Sequence, residues 1–219
     1  MNTRAEPAKS VRELERAWWL NTLAVVRRPR SVFAALAAED ADEGAAARQE
    51  PLLAVIWLAG MAGVLLTTAA AHLLDDYQVD GLVLAVWVFV AGGIYGAAGY
   101  WLAGGALLVG LKGAESPMPS YRVARHVLGL AAVPLAASLL VWPVRLAVYG
   151  RDLFRNGGSD TGAGDLVFRI VLLAFAAWSI GLLVVGVRTT EGWGWRRSLA
   201  AVALAAAVLG LFGAIPFVL

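Results

Sequence analysis

The chain has 219 residues, of which 60% are hydrophobic and 16% charged, against about 45–50% apolar and about 25% charged in an ordinary soluble domain. With a mean hydropathy of +0.70 and a formal net charge of +2, the composition argues against a soluble enzyme, a disordered tail and a nucleic-acid-binding domain, and leaves a membrane protein. Cysteine is absent, which removes disulfides, thiolate metal sites and cysteine nucleophiles.

Residues 1–50 form a polar cap with eight Lys/Arg and eight Asp/Glu. Val11, Leu14, Trp18 and Val25 recur at helical spacing, widened by Trp19 and Val26, while Arg12, Glu13 and Arg16 fall mostly on the other side. Two readings fit this pattern. One is an amphipathic helix lying in the membrane interface, with Trp18 and Trp19 at headgroup depth. The other is an ordinary helix packed on the rest of the protein. On the first reading Trp18, Trp19, Arg27, Arg28 and Arg30 form a membrane-surface patch for anionic headgroups. Pro29 disfavours helical geometry in the residue before it and stops the helix. Ser31 is placed to cap a short second helix through Ala38. The alanine-rich acidic stretch from Glu39 to Glu50 reads as a linker.

Past Pro51 the charges thin out. Leu52–Leu74 is 23 residues without a formal charge, and Leu82–Leu111 is 30. Val127–Val144 and Ile170–Val187 are 18 each, and Leu199–Leu219 is 21. A bilayer crossing takes about 20 residues, so the sequence predicts an all-α polytopic membrane protein. It has five transmembrane helices (52–74, 82–111, 127–144, 170–187, 199–219) behind the N-terminal amphipathic segment. The implied domains are 1–50, cytoplasmic, and 51–219, embedded. The second run exceeds one untilted crossing and is expected to tilt, kink or extend.

Cytoplasmic loops carry the excess of Lys/Arg. With the N-terminus inside, fourteen of the eighteen Lys/Arg fall on that side, and Arg145, Arg151, Arg155 and Arg169 on the other. The expected topology is therefore N-terminus cytoplasmic and C-terminus outside, in a cell (inner) membrane. Trp193 and Trp195, ahead of Arg196 and Arg197, mark an interface. The high Arg and Ala content suggests a GC-rich bacterial source.

Chemistry is conspicuous by its scarcity. Gly105 to Gly110 before Lys112 misses the phosphate-loop spacing, because the lysine does not follow the second glycine directly. His72 and His126 sit near predicted span ends and read as interfacial. Asp75, Asp76 and Asp80 read as a solvated turn. No catalytic, metal or cofactor residue is assigned. Arg145 and Arg169 are expected to snorkel outward, with Asp165 and Arg169 spaced to pair on one helix face.

Gly92, Gly96 and Gly99, with Ala103, put small residues on one stripe of the second span, the pattern that lets another helix approach closely. Pro134 and Pro143 fall in the third span, where each removes a helical hydrogen bond.

The segment around the third span resembles a known family. Tyr121-Arg122 leads to Gly129, with Pro134 five residues on, inside GLAAVP. This is similar to the Gly-x-x-x-x-Pro element of the Yip-family (Ypt/Rab-interacting) membrane proteins. Pro29 to Phe33 resembles the Pro-x-x-x-Phe start of prokaryotic members, and Trp178 to Gly186 with Arg188 and Arg197 resembles the family's end. The resemblance spans about residues 25–215. It implies five spans, a cytoplasmic N-terminal segment, no catalytic residue, and Tyr121, Gly129 and Pro134 as motif positions. Eukaryotic members act in early secretory traffic and bind prenylated Rab GTPases, and the acidic N-terminal signature that accompanies them is missing here. The expected function is a non-enzymatic membrane-organising or partner-binding scaffold, in contact with the bilayer and with a membrane protein or a second copy of the chain, and not with nucleic acid. The alternative is a small transporter or permease subunit with a substrate path along spans two and three.

Overall fold

The computed structural model of the protein describes residues 22–39, 50–67, 81–154 and 163–214, and every regular element in them is helical. In chain order these are α1 (Pro29–Glu39), α2 (Glu50–Leu65), α3 (Gly81–Gly113), α4 (Tyr121–Ala131), α5 (Val133–Ala137), a 3-10 turn (Ser138–Leu140), α6 (Val141–Tyr149), a second 3-10 turn (Gly150–Phe154), α7 (Ala163–Glu191) and α8 (Trp195–Ala214). Trp18 and Trp19 lie outside the described residues, as do His72 and the acidic cluster at 75–80.

Three rods among the described residues are long and apolar enough to cross a membrane: Gly81–Gly113, Tyr121–Tyr149 and Gly164–Glu191. Leu52–Leu65 is a shorter apolar helix. At 1.5 Å per residue the 33 residues of α3 reach about 50 Å, well beyond the roughly 30 Å hydrocarbon layer. Many large apolar side chains are exposed on the outer surface. Leu82 (72% exposed), Leu102 (68%), Leu140 (78%) and Leu173 (67%) all face outward. Scattered over rods of bilayer length, such residues are lipid-facing; in water they would form aggregating patches.

The third rod carries both prolines and is not one regular helix. Ser120 caps α4, its hydroxyl accepting from the Val123 N–H. Pro134 sits in the first turn of α5 after a break at Ala132, where its missing N–H costs least. The Leu135 N–H leaves the helical pattern and donates to Ser179 Oγ of α7 at 3.2 Å. Non-helical backbone at membrane depth needs such a partner. Ser138 Oγ donates to the Leu135 carbonyl at 2.6 Å as the chain tightens into the 3-10 turn.

The N-terminal segment is less separate than its polarity suggests. Thr22, Val25 and Phe33 are fully buried, and Leu36 nearly so. Phe33 enters the main core beside Val127 and Val187. Gly186 makes room for it: a Cβ there would lie 3.0 Å from two Phe33 ring atoms and 2.6 Å from Val127 Cγ1. Thr22 and Val25, at the end of the 11–26 stretch, and Phe33 and Leu36 of α1 are packed against the bundle, while Arg27, Arg28 and Arg30 stay exposed; residues 11–21, on which the choice between the two readings turns, lie outside the described residues. The helix starts at Pro29, and Ser31 is not its cap; the Ser31 hydroxyl donates back to the Arg28 carbonyl at 2.9 Å.

At the end of the bundle rich in Lys and Arg, Arg197 closes the α3–α4 turn onto α8. Its Nε donates to Ala114 O at 2.8 Å and a terminal nitrogen to Glu115 O at 2.7 Å, with the guanidinium 4.1 Å from the Trp193 ring. Ser116 donates to Glu191 in the same turn. At the opposite end Trp142 stacks on Phe154 within a smaller core that includes Leu84, Val88 and Leu153.

Candidate functional site

Helices α2 and α3 approach closely through glycines. A Cβ on Gly60 would fall on the Gly92 carbonyl oxygen and lie 2.6 Å from Gly96 Cα. One on Gly92 would strike Met61, including its backbone, and one on Gly96 would strike the Ile56 carbonyl. Here backbone meets backbone, which only glycine permits. Trp57 covers Gly93, donates from Nε1 to the Phe89 carbonyl at 3.0 Å, and packs its ring 5.1 Å from that of Phe89. Gly99, on the same stripe, is exposed and has nothing within 4 Å of a Cβ position. Beyond Gly96 the wedge between α2 and α3 is taken by α4, where Gly129 lies against Leu52 and Tyr100.

That wedge leaves a groove of about 450 Å³ bounded by α2, α3, the α4–α5 rod and α7. Gly63, Gly99, Ala103 and Ala131 give it a small-residue floor, with Leu128, Leu135 and Leu183 on the walls. It opens to the side of the bundle past Tyr95 and Ile180, which are 67% and 59% exposed. Its polar groups are Thr67, Tyr95, Tyr100 and Ser179, and no charged side chain lines it.

Arg125 stands at the Lys/Arg-rich end of this groove. Its guanidinium lies 4.0 Å from the Trp101 ring centroid, 4.7 Å from Tyr121 and 5.5 Å from Tyr100. The motif residue Tyr121 fixes this box by donating its hydroxyl to the Trp101 carbonyl at 2.9 Å. Gly104 gives Arg125 its seat, since a Cβ there would strike Arg125 Cγ. Among the described residues no carboxylate or carbonyl accepts from this guanidinium, and its Nε is buried without a partner. The other two motif positions are structural in placement: Gly129 and Pro134 are both buried, at the wedge and at the helix break.

A second arginine site lies at the far end. Arg145 does not snorkel outward; it is buried and donates to Asp165 Oδ1 at 2.7 Å. Arg169, 72% exposed, pairs with the other carboxylate oxygen from the next turn of α7. His126 is buried in the bundle, its Nδ1 2.8 Å from the Arg122 carbonyl one turn back. Among the described residues no three His, Cys, Asp or Glu side chains gather as metal ligands.

Sequence reasoning passed over Gly60, Gly110 and Arg125. Gly110 seats α8, a Cβ there striking the Ala201 carbonyl. The small-residue spacing of Gly60 and Gly63 was a signal for the α2 face. Nothing local foretold that Arg125 of one rod would meet Tyr100 and Trp101 of another.

Long apolar rods, lipid-facing leucines and a glycine crossing define a multi-pass helical membrane protein. The model of the Yip1 domain matches residues 23–215, and the chain belongs to the Yip1 family. The match begins within the N-terminal segment, at the stretch that packs into the core. No curated protein and no solved structure matches the chain.

Proposed function

We propose that this protein is a five-span bacterial inner-membrane scaffold of Yip type. It binds a membrane-protein partner or a second copy of itself, or organises the bilayer around it, and catalyses no reaction. Spans 52–74 and 199–219 join the three long rods, the N-terminus is cytoplasmic and the C-terminus outside. On the cytoplasmic face Arg27, Arg28 and Arg30, with Trp18 and Trp19, meet anionic headgroups. Gly92 and Gly96 serve helix packing, and Gly99 the groove.

The observation that carries this reading is the glycine crossing. Backbone-to-backbone glycine packing holds α2 on α3, and the groove beside it has no charged lining. A path for a polar solute needs water or partners for that solute's polar groups along its length. The runner-up, a transporter, draws on the helix break at Pro134 and on Thr67, Tyr95 and Ser179 in the groove.

The chain has no cysteine, so single cysteines report cleanly. Tyr95→Cys and Ser179→Cys in the reconstituted protein are expected to resist a membrane-impermeant thiol reagent applied from either side. Rapid labelling of both would reveal a water-filled path and replace the scaffold with a transporter. Reporter fusions test the topology: fusions at Gly157 and at the C-terminus are both expected on the outer side, and a cytoplasmic signal at Gly157 breaks the five-span arrangement.

A further inference from the structure

We propose that the side groove and Arg125 together form a phospholipid site, with the lipid phosphate on the guanidinium and one acyl chain along the groove. The inference rests on the scaffold reading, in which this groove is not a water-filled path.

The Arg125 guanidinium is a cation awaiting an anion. Three aromatic rings lie 4.0 to 5.5 Å from it, which stabilises a cation but supplies no anionic partner. Arg125 is half-buried, and its Nε is buried without a partner, so that donor calls for an acceptor. Its planar fork of donors matches phosphate oxygens. The box also lies toward one end of a membrane-length rod. Arg125 lies one turn into the membrane-length rod Tyr121–Tyr149. Trp101, half exposed, and Tyr121 are the aromatics that line a membrane–water interface.

The groove continues directly from the box. Tyr100 belongs to both, forming one wall of the cage and lining the cavity. Leu128 and Leu135 follow Arg125 down one face of the rod into the groove. From Ile56 to Val64, both lining residues, α2 rises about 12 Å, a length suited to part of a hydrocarbon chain. The absent side chains at Gly63 and Gly99 provide its width, and the opening past Tyr95 and Ile180 faces lipid. An apolar slot with one phosphate-binding fork at its interfacial end is complementary to a phospholipid. A free anion would leave the slot unused, and an uncharged lipid would leave the fork unused.

The test uses the full chain, purified in mild detergent and stripped of lipid. Dioleoylphosphatidylglycerol, inorganic phosphate and dioleoylglycerol are added in separate arms. Bound lipid is counted by native mass spectrometry, and oligomeric state is read in the same spectra. The wild type is expected to retain one phosphatidylglycerol. Arg125→Gln and Gly99→Leu are each expected to weaken that retention about tenfold or more. Gly99→Leu adds bulk at the slot from a position where nothing lies within 4 Å of a Cβ. If Arg125→Gln does not fold, Arg125→Lys keeps the charge but not the fork, and is expected to bind at an intermediate level. Retention at the wild-type level by both substituted chains overturns the proposal, as does inorganic phosphate binding as tightly as the lipid. So does a Gly99→Leu chain that loses a dimer while keeping its lipid, because the groove would then hold a second copy.

Discussion

Gly96→Leu is expected to destabilise the bundle by about 3 kcal/mol or more, at or beyond the upper end of ordinary overpacking. The obstacle at this position is backbone. A Cβ on Gly96 strikes the Ile56 carbonyl oxygen and comes within 3.2 Å of its carbon and 3.3 Å of Gly60 Cα. No rotamer of the new side chain relieves a clash that begins at Cβ, so α2 and α3 must separate. Separation also pulls Trp57 off Gly93 and breaks its hydrogen bond to the Phe89 carbonyl. In lipid, helix association rests on this close packing and not on burial from water, so the loss has little to offset it. Gly99→Leu is the control: same helix, same stripe, same added volume, but open space around it. Denaturant titration of both chains in detergent, followed by tryptophan fluorescence, separates the two cases. Equal midpoints would show that the glycine crossing does not hold α2 in place.

The contrast between Gly96 and Gly99 also marks how far the sequence could be read. Composition and uncharged run length were enough to place α3, the third rod and α7, because spanning helices are selected by a solvent that penalises charge and free backbone groups alike. The ends were less legible. The uncharged runs at 82–111, 127–144 and 170–187 stop short of helices that continue to Gly113, Tyr149 and Glu191, since a helix persists into the interface where charges become tolerable. The glycine stripe was visible as a spacing, but which of its members meets a neighbour depends on where two rods diverge, and that is a tertiary property. Residues 22–39 show the reverse problem. Their charges pointed outward to solvent, yet Val25, Phe33 and Leu36 are core residues; apolar residues among many charges gave a helical period without naming the surface it covers. Arg125 was the least legible of all. Its three ring partners come from residues up to 25 positions away, Tyr100 and Trp101 on α3 and Tyr121 on its own rod, and an arginine four residues into a rod reads as an ordinary interfacial cation until those rings are in place.

The other large effect is expected at the far arginine site. Asp165→Asn removes the charge that Arg145 donates to at 2.7 Å, with both side chains close to fully buried at 11% and 7% exposure. Removing one partner of a buried pair costs about 3–5 kcal/mol, chiefly because the remaining charge stays desolvated. Arg145 stands over the Trp142 ring at 5.2 Å, beside the small core that joins α3 to the second 3-10 turn, so the damage is expected to spread into the contacts of Leu153 and Phe154. Arg169→Gln is expected to change stability by less than about 1 kcal/mol, because its side chain is 72% exposed and exposed pairs contribute little. The decisive chain is the double substitution Arg145→Met with Asp165→Leu. Replacing a buried ion pair by apolar residues of similar volume is often neutral or stabilising, so this chain is expected to recover most of what Asp165→Asn loses. Recovery, read from denaturant midpoints in detergent, would mean that the pair serves fold and register rather than an ion path. If the double substitution is as unstable as Asp165→Asn, the cost lies in the shape of this corner and the electrostatic account of it fails.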